Sequence, residues 1–228
     1  MKLLTRVVGV CASIAAIFTG YTYYTAITST QVVGDQINPQ YIEQSEGTAP
    51  YIIRLGDKEN PFFCSGVVIG KEFALTAAHC VIDSLSFIQD KDVLIYDLEG
   101  NLVSKAKPMA VQLDRDIALL KGDFSEFKSI LVDWGGFRLE EAVNNGAISC
   151  GFPSGEDMLC SKLFYAGNVY FQMKFVGGQL YPGQSGGPVV VYYQPLNGYI
   201  LIGVNSAVTK DGLIVAPVTG ARSLLWGR

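Results

Sequence analysis

The chain has 228 residues, 49% of them apolar, enough for one or two cores at the ~50–250 residues of an ordinary domain. Seventeen Lys and Arg stand against 21 Asp and Glu, a net charge of −4, which excludes the basic footprint of a nucleic-acid-binding protein. Twenty-five glycines, with aromatic and β-branched residues spread along the chain, suit many short strands joined by tight turns.

Lys2 and Arg6 are followed by no charged residue until Asp35. The most apolar part, Val7 to Phe18, is 12 residues long, within the ~7–15 of a secretory signal's apolar region. Extended to Ile27 the uncharged stretch is 21 residues, close to the ~20 that span a bilayer, with Tyr21, Tyr23 and Tyr24 at the far interface. Two readings of residues 1–28 therefore stand side by side. One is a cleaved signal, for which Tyr24-Thr25-Ala26 is a weak cleavage site; the other is an anchor attached to the membrane through residues 7–27. Either way the chain is expected to be exported, secreted or periplasmic if cleaved, or anchored with its folded part outside the cytoplasm. Val10 precedes Cys11 where a lipid-modified cysteine wants a small residue.

Residues 29–46 are polar and read as a linker or loosely attached arm. Strand signals then recur at Tyr51–Leu55, Phe62–Ile69 and Glu72–Ala77. Val93–Asp97 and Leu102–Gln112 flank a hairpin signal, Leu98-Glu99-Gly100-Asn101, and Ile117–Leu120 follows. A second set comprises Ala147–Phe152, Leu159–Tyr165, Val169–Phe175, Pro188–Tyr193, Tyr199–Ala207 and Leu213–Val218. Asp133-Trp134-Gly135-Gly136 is the expected crossing between the sets, and only Ala221–Leu225 has a helical flavour. About a dozen strands with almost no helical periodicity predict an all-β fold.

Setting Cys11 aside, Cys64, Cys80, Cys150 and Cys160 remain, an even number that suits an oxidising compartment. Four cysteines allow three pairings, and proximity suggests Cys64–Cys80 and Cys150–Cys160. Their spacings of 16 and 10 lack the close C-x2-C pairs of a zinc site, so no metal is expected.

The single histidine, His79, ends the apolar segment Leu75-Thr76-Ala77-Ala78-His79-Cys80. A hydroxyl nucleophile working near neutral pH commonly needs an imidazole base, and here only His79 can supply it. In Pro182-Gly183-Gln184-Ser185-Gly186-Gly187-Pro188, glycines surround Ser185, so the N–H groups of Gly183 and Ser185 could converge on one spot, as an oxyanion hole requires. In Asp114-Arg115-Asp116-Ile117-Ala118-Leu119-Leu120 an acid enters an apolar strand, where a carboxylate can orient the imidazole. Two residues apart in an extended strand, Asp114 and Asp116 would point to the same side, so either could serve.

Taken together, Thr76-Ala77-Ala78-His79-Cys80, Asp116-Ile117-Ala118-Leu119-Leu120 and Gly183-Gln184-Ser185-Gly186-Gly187-Pro188 resemble the chymotrypsin/trypsin-like serine protease family, in its order His, Asp, Ser. Phe63-Cys64-Ser65-Gly66 is similar to the family's strand before the histidine, with its partner cysteine. The resemblance covers residues 47–228. It implies two perpendicular six-stranded antiparallel β-barrels, one over about 47–134 and one over about 135–228, with the site in the cleft between them. It implies a serine endopeptidase with His79, Asp116 and Ser185 as triad, Gly183 and Ser185 as oxyanion hole, and no metal or cofactor. It also prefers Asp116 to Asp114. A non-catalytic binding module on the same scaffold is the rival reading.

The sequence departs from the digestive members. Gln184 stands where they carry an Asp that binds the N-terminus freed by activation, and no matching activation site is present, so the domain is expected to be competent as synthesised. Cys150-Gly151-Phe152-Pro153-Ser154-Gly155 is more similar to the Gly-Tyr-Pro turn of bacterial glutamyl-endopeptidase-like members. By the same resemblance Gln179 forms the floor of the substrate pocket, with Ser206, Ala207 and Val208 in its wall. With no Asp there and Val208 in place of Gly, small or medium uncharged side chains are expected before the scissile bond of a protein or peptide substrate.

Overall fold

The computed structural model describes residues 51–59, 63–83, 86–87, 92–153, 157–178 and 180–226, with the backbone of Gln36 and Ile37. The apolar segment 7–27, most of the 29–46 arm and Gln179 lie outside the described residues. The strands, in chain order, are β1 (Gln36–Ile37), β2 (Ile52–Gly56), β3 (Cys64–Gly70), β4 (Phe73–Thr76), β5 (Ile82–Asp83), β6 (Ser86–Phe87), β7 (Val93–Tyr96), β8 (Leu102–Gln112) and β9 (Ile117–Gly122). There follow β10 (Leu131–Val132), β11 (Ala147–Gly151), β12 (Leu159–Val169), β13 (Gln172–Val176), β14 (Pro188–Tyr193), β15 (Gly198–Thr209) and β16 (Gly212–Pro217). Two short helices, α1 (Leu139–Asn145) and α2 (Arg222–Trp226), complete the described elements with 3-10 turns at Ala78–Cys80, Gln194–Leu196 and Val218–Gly220. Among the described residues no helix is long and apolar enough to cross a membrane.

The fold is all-β and built of two six-stranded antiparallel barrels. β2, β3, β4, β9, β8 and β7 close the first. The second runs β12-β11-β14-β15-β16-β13 and closes through the β12–β13 pairing. Closure leaves neither barrel with an unpaired edge inside the ring. β1 adds to β12, and β10 runs parallel to β15, so the chain joins the second sheet at Leu131, before the Asp133 turn.

Strand periodicity explains why several strands read as unbroken apolar runs. In β9, Ala118 and Leu120 face the interior of the first barrel, while Ile117 and Leu119 pack in a separate cluster shared with the second barrel. All four are fully buried, because one face of the strand fills its own barrel and the other fills the seam. β15 does the same from the other side: Ile200 and Ile202 belong to the second barrel's interior, Leu201 and Val204 to the seam. Each Leu, Ile or Val among them contributes about 1.5–3 kcal/mol on burial, so the seam is a third core rather than a wet interface.

Three local features depart from the sequence reading. Asp133 forms the crossing turn by accepting N–H bonds from Phe137 (3.1 Å) and Arg138 (2.6 Å), and these deliver the chain into α1. That helix escapes the sequence reading because only Ala142 of its seven residues is buried, leaving no apolar stripe to detect. Val169 ends β12 instead of beginning β13, since the hairpin turns at Tyr170-Phe171 with Tyr170 at φ 55°, a turn without the usual Gly or Asn signal. Asp116 lies outside the strand altogether: residues 113–116 form a turn, and Asp116 has φ 56°. The same-side argument about Asp114 and Asp116 therefore fails, because neither is extended.

Candidate active site

His79 sits in the 3-10 turn that follows β4, and the Cys64–Cys80 disulfide ties that turn back to β3. A second disulfide, Cys150–Cys160, joins directly opposed residues of β11 and β12. Cys64, His79 and Cys80 lie close together, but both sulfurs are consumed in a bridge, so neither is available as a thiolate ligand.

The left-handed turn aims the Asp116 carboxylate at His79. Oδ1 accepts the His79 backbone N–H at 2.9 Å, and Oδ2 lies 2.8 Å from His79 Nδ1. A carboxylate can only accept, so Nδ1 carries the proton and Nε2 is the basic nitrogen of the neutral ring. Ser206, on β15, donates its hydroxyl to the same Oδ2 at 2.6 Å. Three donors thus converge on one carboxylate, drawn from both barrels. Asp114 is exposed and makes none of these contacts.

The Ser185 loop is fastened to the first barrel through Ser65 on β3. Ser65 N–H donates to Ser185 O (2.8 Å), Ser65 Oγ donates to Gly183 O (2.8 Å), and that hydroxyl accepts Phe152 N–H (2.8 Å). Thr76 Oγ1, three residues before His79, donates to Ser65 O at 2.8 Å. Cys80 Sγ approaches Ser185 O at 3.7 Å. The histidine turn, through Cys64 and Ser65, and the serine loop, through Ser65, are therefore clamped to one strand. While the carbonyls of Gly183 and Ser185 are taken, their N–H groups make no protein hydrogen bond among the described residues. The clamp demands glycine at position 186: at φ 80°, a Cβ there would lie 2.1 Å from Thr76 Oγ1 and 2.4 Å from Ser65 O.

Gln184 is 1% exposed and its side chain is satisfied within the second barrel. Oε1 accepts Tyr181 N–H (2.7 Å), and Nε2 donates to Leu159 O (3.2 Å) and Gly151 O (3.4 Å). Asn205, equally buried, donates to Cys150 O (3.0 Å) and Gln184 O (3.1 Å) and accepts Ser149 Oγ (2.7 Å). A neutral network with every polar atom paired holds a loop at no cost in buried charge.

Of the residues expected in the substrate pocket, Gln179 lies outside the described residues. Ser206 is buried and its hydroxyl is turned to Asp116, so its side chain serves the carboxylate. Ala207 and Val208 are half-buried beyond a bulge in β15, and Val208 packs with Leu180 against the second barrel's core. Arg54, on β2, stacks its guanidinium over Phe152 at 4.4 Å; burial pulls its pKa below the ordinary value, against the opposing influence of Asp157, Asp97 and Glu99. The contributions of Ser65, of Asn205 and of the Ser206 hydroxyl to the carboxylate escape the sequence reading, since isolated polar residues in strands carry no local signal of a long-range partner.

A family model described as the trypsin-like peptidase domain matches residues 64–194. No curated protein matches the chain. Among solved structures, the serine endoprotease from Yersinia pestis aligns with 83% of this chain and 66% of its own at 17% identity and TM-score 0.59. The secreted serine protease VesC from Vibrio cholerae aligns with 84% of this chain and 47% of its own at 18% identity and TM-score 0.61. At such identity the likeness is one of fold.

Proposed function

Because the chain belongs to the trypsin-like peptidase family, we propose that it is a serine endopeptidase with His79, Asp116 and Ser185 as its triad. The observation that carries this reading is the Asp116 carboxylate, which holds the only imidazole in the chain by its Nδ1 at 2.8 Å. Beside it, Ser185 is bound to the strand that braces that imidazole. In the proposed reaction Ser185 Oγ attacks the peptide carbonyl while His79 Nε2 takes its proton, and Asp116 stabilises the imidazolium. The N–H groups of Gly183 and Ser185 take the oxyanion, a role supported by their lack of a protein acceptor among the described residues. His79 then returns the proton to the leaving amine, and water releases the acyl group.

Several finer readings accompany it. The folded protease spans 47–228, after a signal or anchor over 1–28 and a linker over 29–46. The two disulfides favour an extracytoplasmic location. The pocket takes small or medium uncharged side chains, which the apolar packing of Leu180 and Val208 supports. The loop needs no freed N-terminus, because the neutral Gln184 amide already has its partners.

The test is Ser185→Ala against a fluorophosphonate probe and an unbiased peptide library. The native chain should label at Ser185 and cleave peptides, and the variant should lose labelling and ~10³-fold or more in turnover. A folded native chain that neither labels nor cleaves would instead be a protease-fold binding module.

A further inference from the structure

We propose that Gln172 is a positioning residue for the triad, acting on Asp116 through Ser206; this rests on the endopeptidase reading above. Gln172 begins β13, directly after the Tyr170-Phe171 turn, and its amide nitrogen reaches two acceptors on other elements. Nε2 donates to Ser206 Oγ at 3.1 Å and to Arg115 O at 3.2 Å. The carbonyl of Arg115 can only accept, so the amide presents nitrogen there, not oxygen. It follows that Ser206 Oγ accepts from Gln172 and that its own proton is left for Asp116 Oδ2, 2.6 Å away. Gln172 fills the acceptor side of that hydroxyl while Asp116 takes its proton, so the donor chain has one direction, Gln172 to Ser206 to Asp116.

The second bond acts on the backbone. The peptide unit between Arg115 and Asp116 is gripped at both ends, its carbonyl by Gln172 and its N–H by Leu113 O at 3.2 Å. This is the unit that precedes Asp116 in its left-handed conformation, φ 56°, which a residue with a Cβ adopts only when its surroundings enforce it. Phe171 supports the same grip, with the Arg115 guanidinium 5.4 Å above its ring. A hairpin of the second barrel thereby fixes the acid-bearing turn of the first. The Asp116–His79 pair lies at this junction, Asp114 and Arg115 precede Asp116 in its turn, and Lys174, two residues along β13 from Gln172, pairs with Asp211.

The test compares fluorophosphonate labelling rates of the full chain across pH for the native protein, Gln172→Met and Gln172→Glu, each also in a Ser206→Ala background. Gln172→Met keeps the side chain's length without the donor and should slow labelling by ~3–10-fold, the worth of one or two neutral hydrogen bonds. In the Ser206→Ala background the same change should cost clearly less, because its route to Asp116 is gone. Gln172→Glu competes for the Ser206 proton and adds negative charge beside the Asp116–His79 pair, so the acid limb of its profile should move to higher pH. If Gln172→Met fails to fold, judged by near-UV circular dichroism, Gln172→Asn, whose amide is too short to reach, replaces it. Unchanged rates in the folded variants, or an identical loss in both backgrounds with no shift of the acid limb, would overturn the proposal. A native chain that does not label at all would instead sink the endopeptidase reading.

Discussion

Replacing Gln184 by Glu tests whether a neutral amide, rather than a charge pair, locks the serine loop. The substitution keeps the side chain's length and the acceptor facing Tyr181 N–H, but it presents a second oxygen to Leu159 O and Gly151 O, which now receive the amide protons. Two buried carbonyls lose the amide's hydrogen bonds and face a carboxylate oxygen instead, at about 1–3 kcal/mol each. Because the site is 1% exposed, water cannot replace the lost donor. The loss in stability should therefore be about 2–6 kcal/mol near neutral pH. Burial and the facing carbonyls hold the new carboxyl's pKa above its unfolded value near ~4.3. Below the unfolded value the acid is protonated in both states and can donate to one carbonyl; as pH rises towards and through the folded value that stabilisation is lost. Thermal unfolding of the variant should then lag the native protein most at about pH 7–8 and least at about pH 4. A Gln184→Glu variant as stable as the native chain at about pH 8, or one rescued by a free N-terminal amine, would refute the neutral-lock argument. An N-terminal extension on the native chain should leave fluorophosphonate labelling unchanged.

Two further outcomes follow from the geometry of the clamp. Gly186→Ala puts a Cβ within contact of Thr76 Oγ1 and Ser65 O at a φ of 80°, so soluble protein, where it forms, should lose labelling by at least ~100-fold, about 2.7 kcal/mol. Replacing Cys64 and Cys80 together by Ser should lower stability by ~3 kcal/mol, as expected for a loop of that size, with chemical denaturation as the measure; an unchanged midpoint would show that the histidine turn is held by its hydrogen bonds alone.

Much of the fold is legible because each barrel strand carries its own signal. Pro188–Tyr193 reads from sequence with its observed bounds, and Ile117–Leu120 differs only at its end. Alternation between two buried faces makes such strands continuous apolar runs, which are hard to miss. Hidden from the sequence are positions where backbone conformation overrides residue type. Asp116 and Tyr170 both have positive φ without being Gly or Asn, so the sequence reading treats the first as extended and starts a strand before the second. Short motifs carry the proposed site residues. The bonds that support them, from Ser65, Gln172, Asn205 and Ser206, stay silent, because each reaches a partner at least 20 residues away. Gln184 stands out in sequence only as a departure from a resemblance; its three partners come from a fold in which Gly151, Leu159 and Tyr181 meet.

Both disulfides staple residues within one barrel, Cys64 to Cys80 in the first and Cys150 to Cys160 in the second. No disulfide crosses the seam among the described residues, although the proposed chemistry needs groups from both sides of it at once. Oxidation therefore hardens each half separately and leaves their alignment to van der Waals contact and a few polar ties. Under mild denaturant the alignment of the two halves should therefore give way while each keeps its strands, so the geometry of the proposed triad should be the first property lost and the architecture the last.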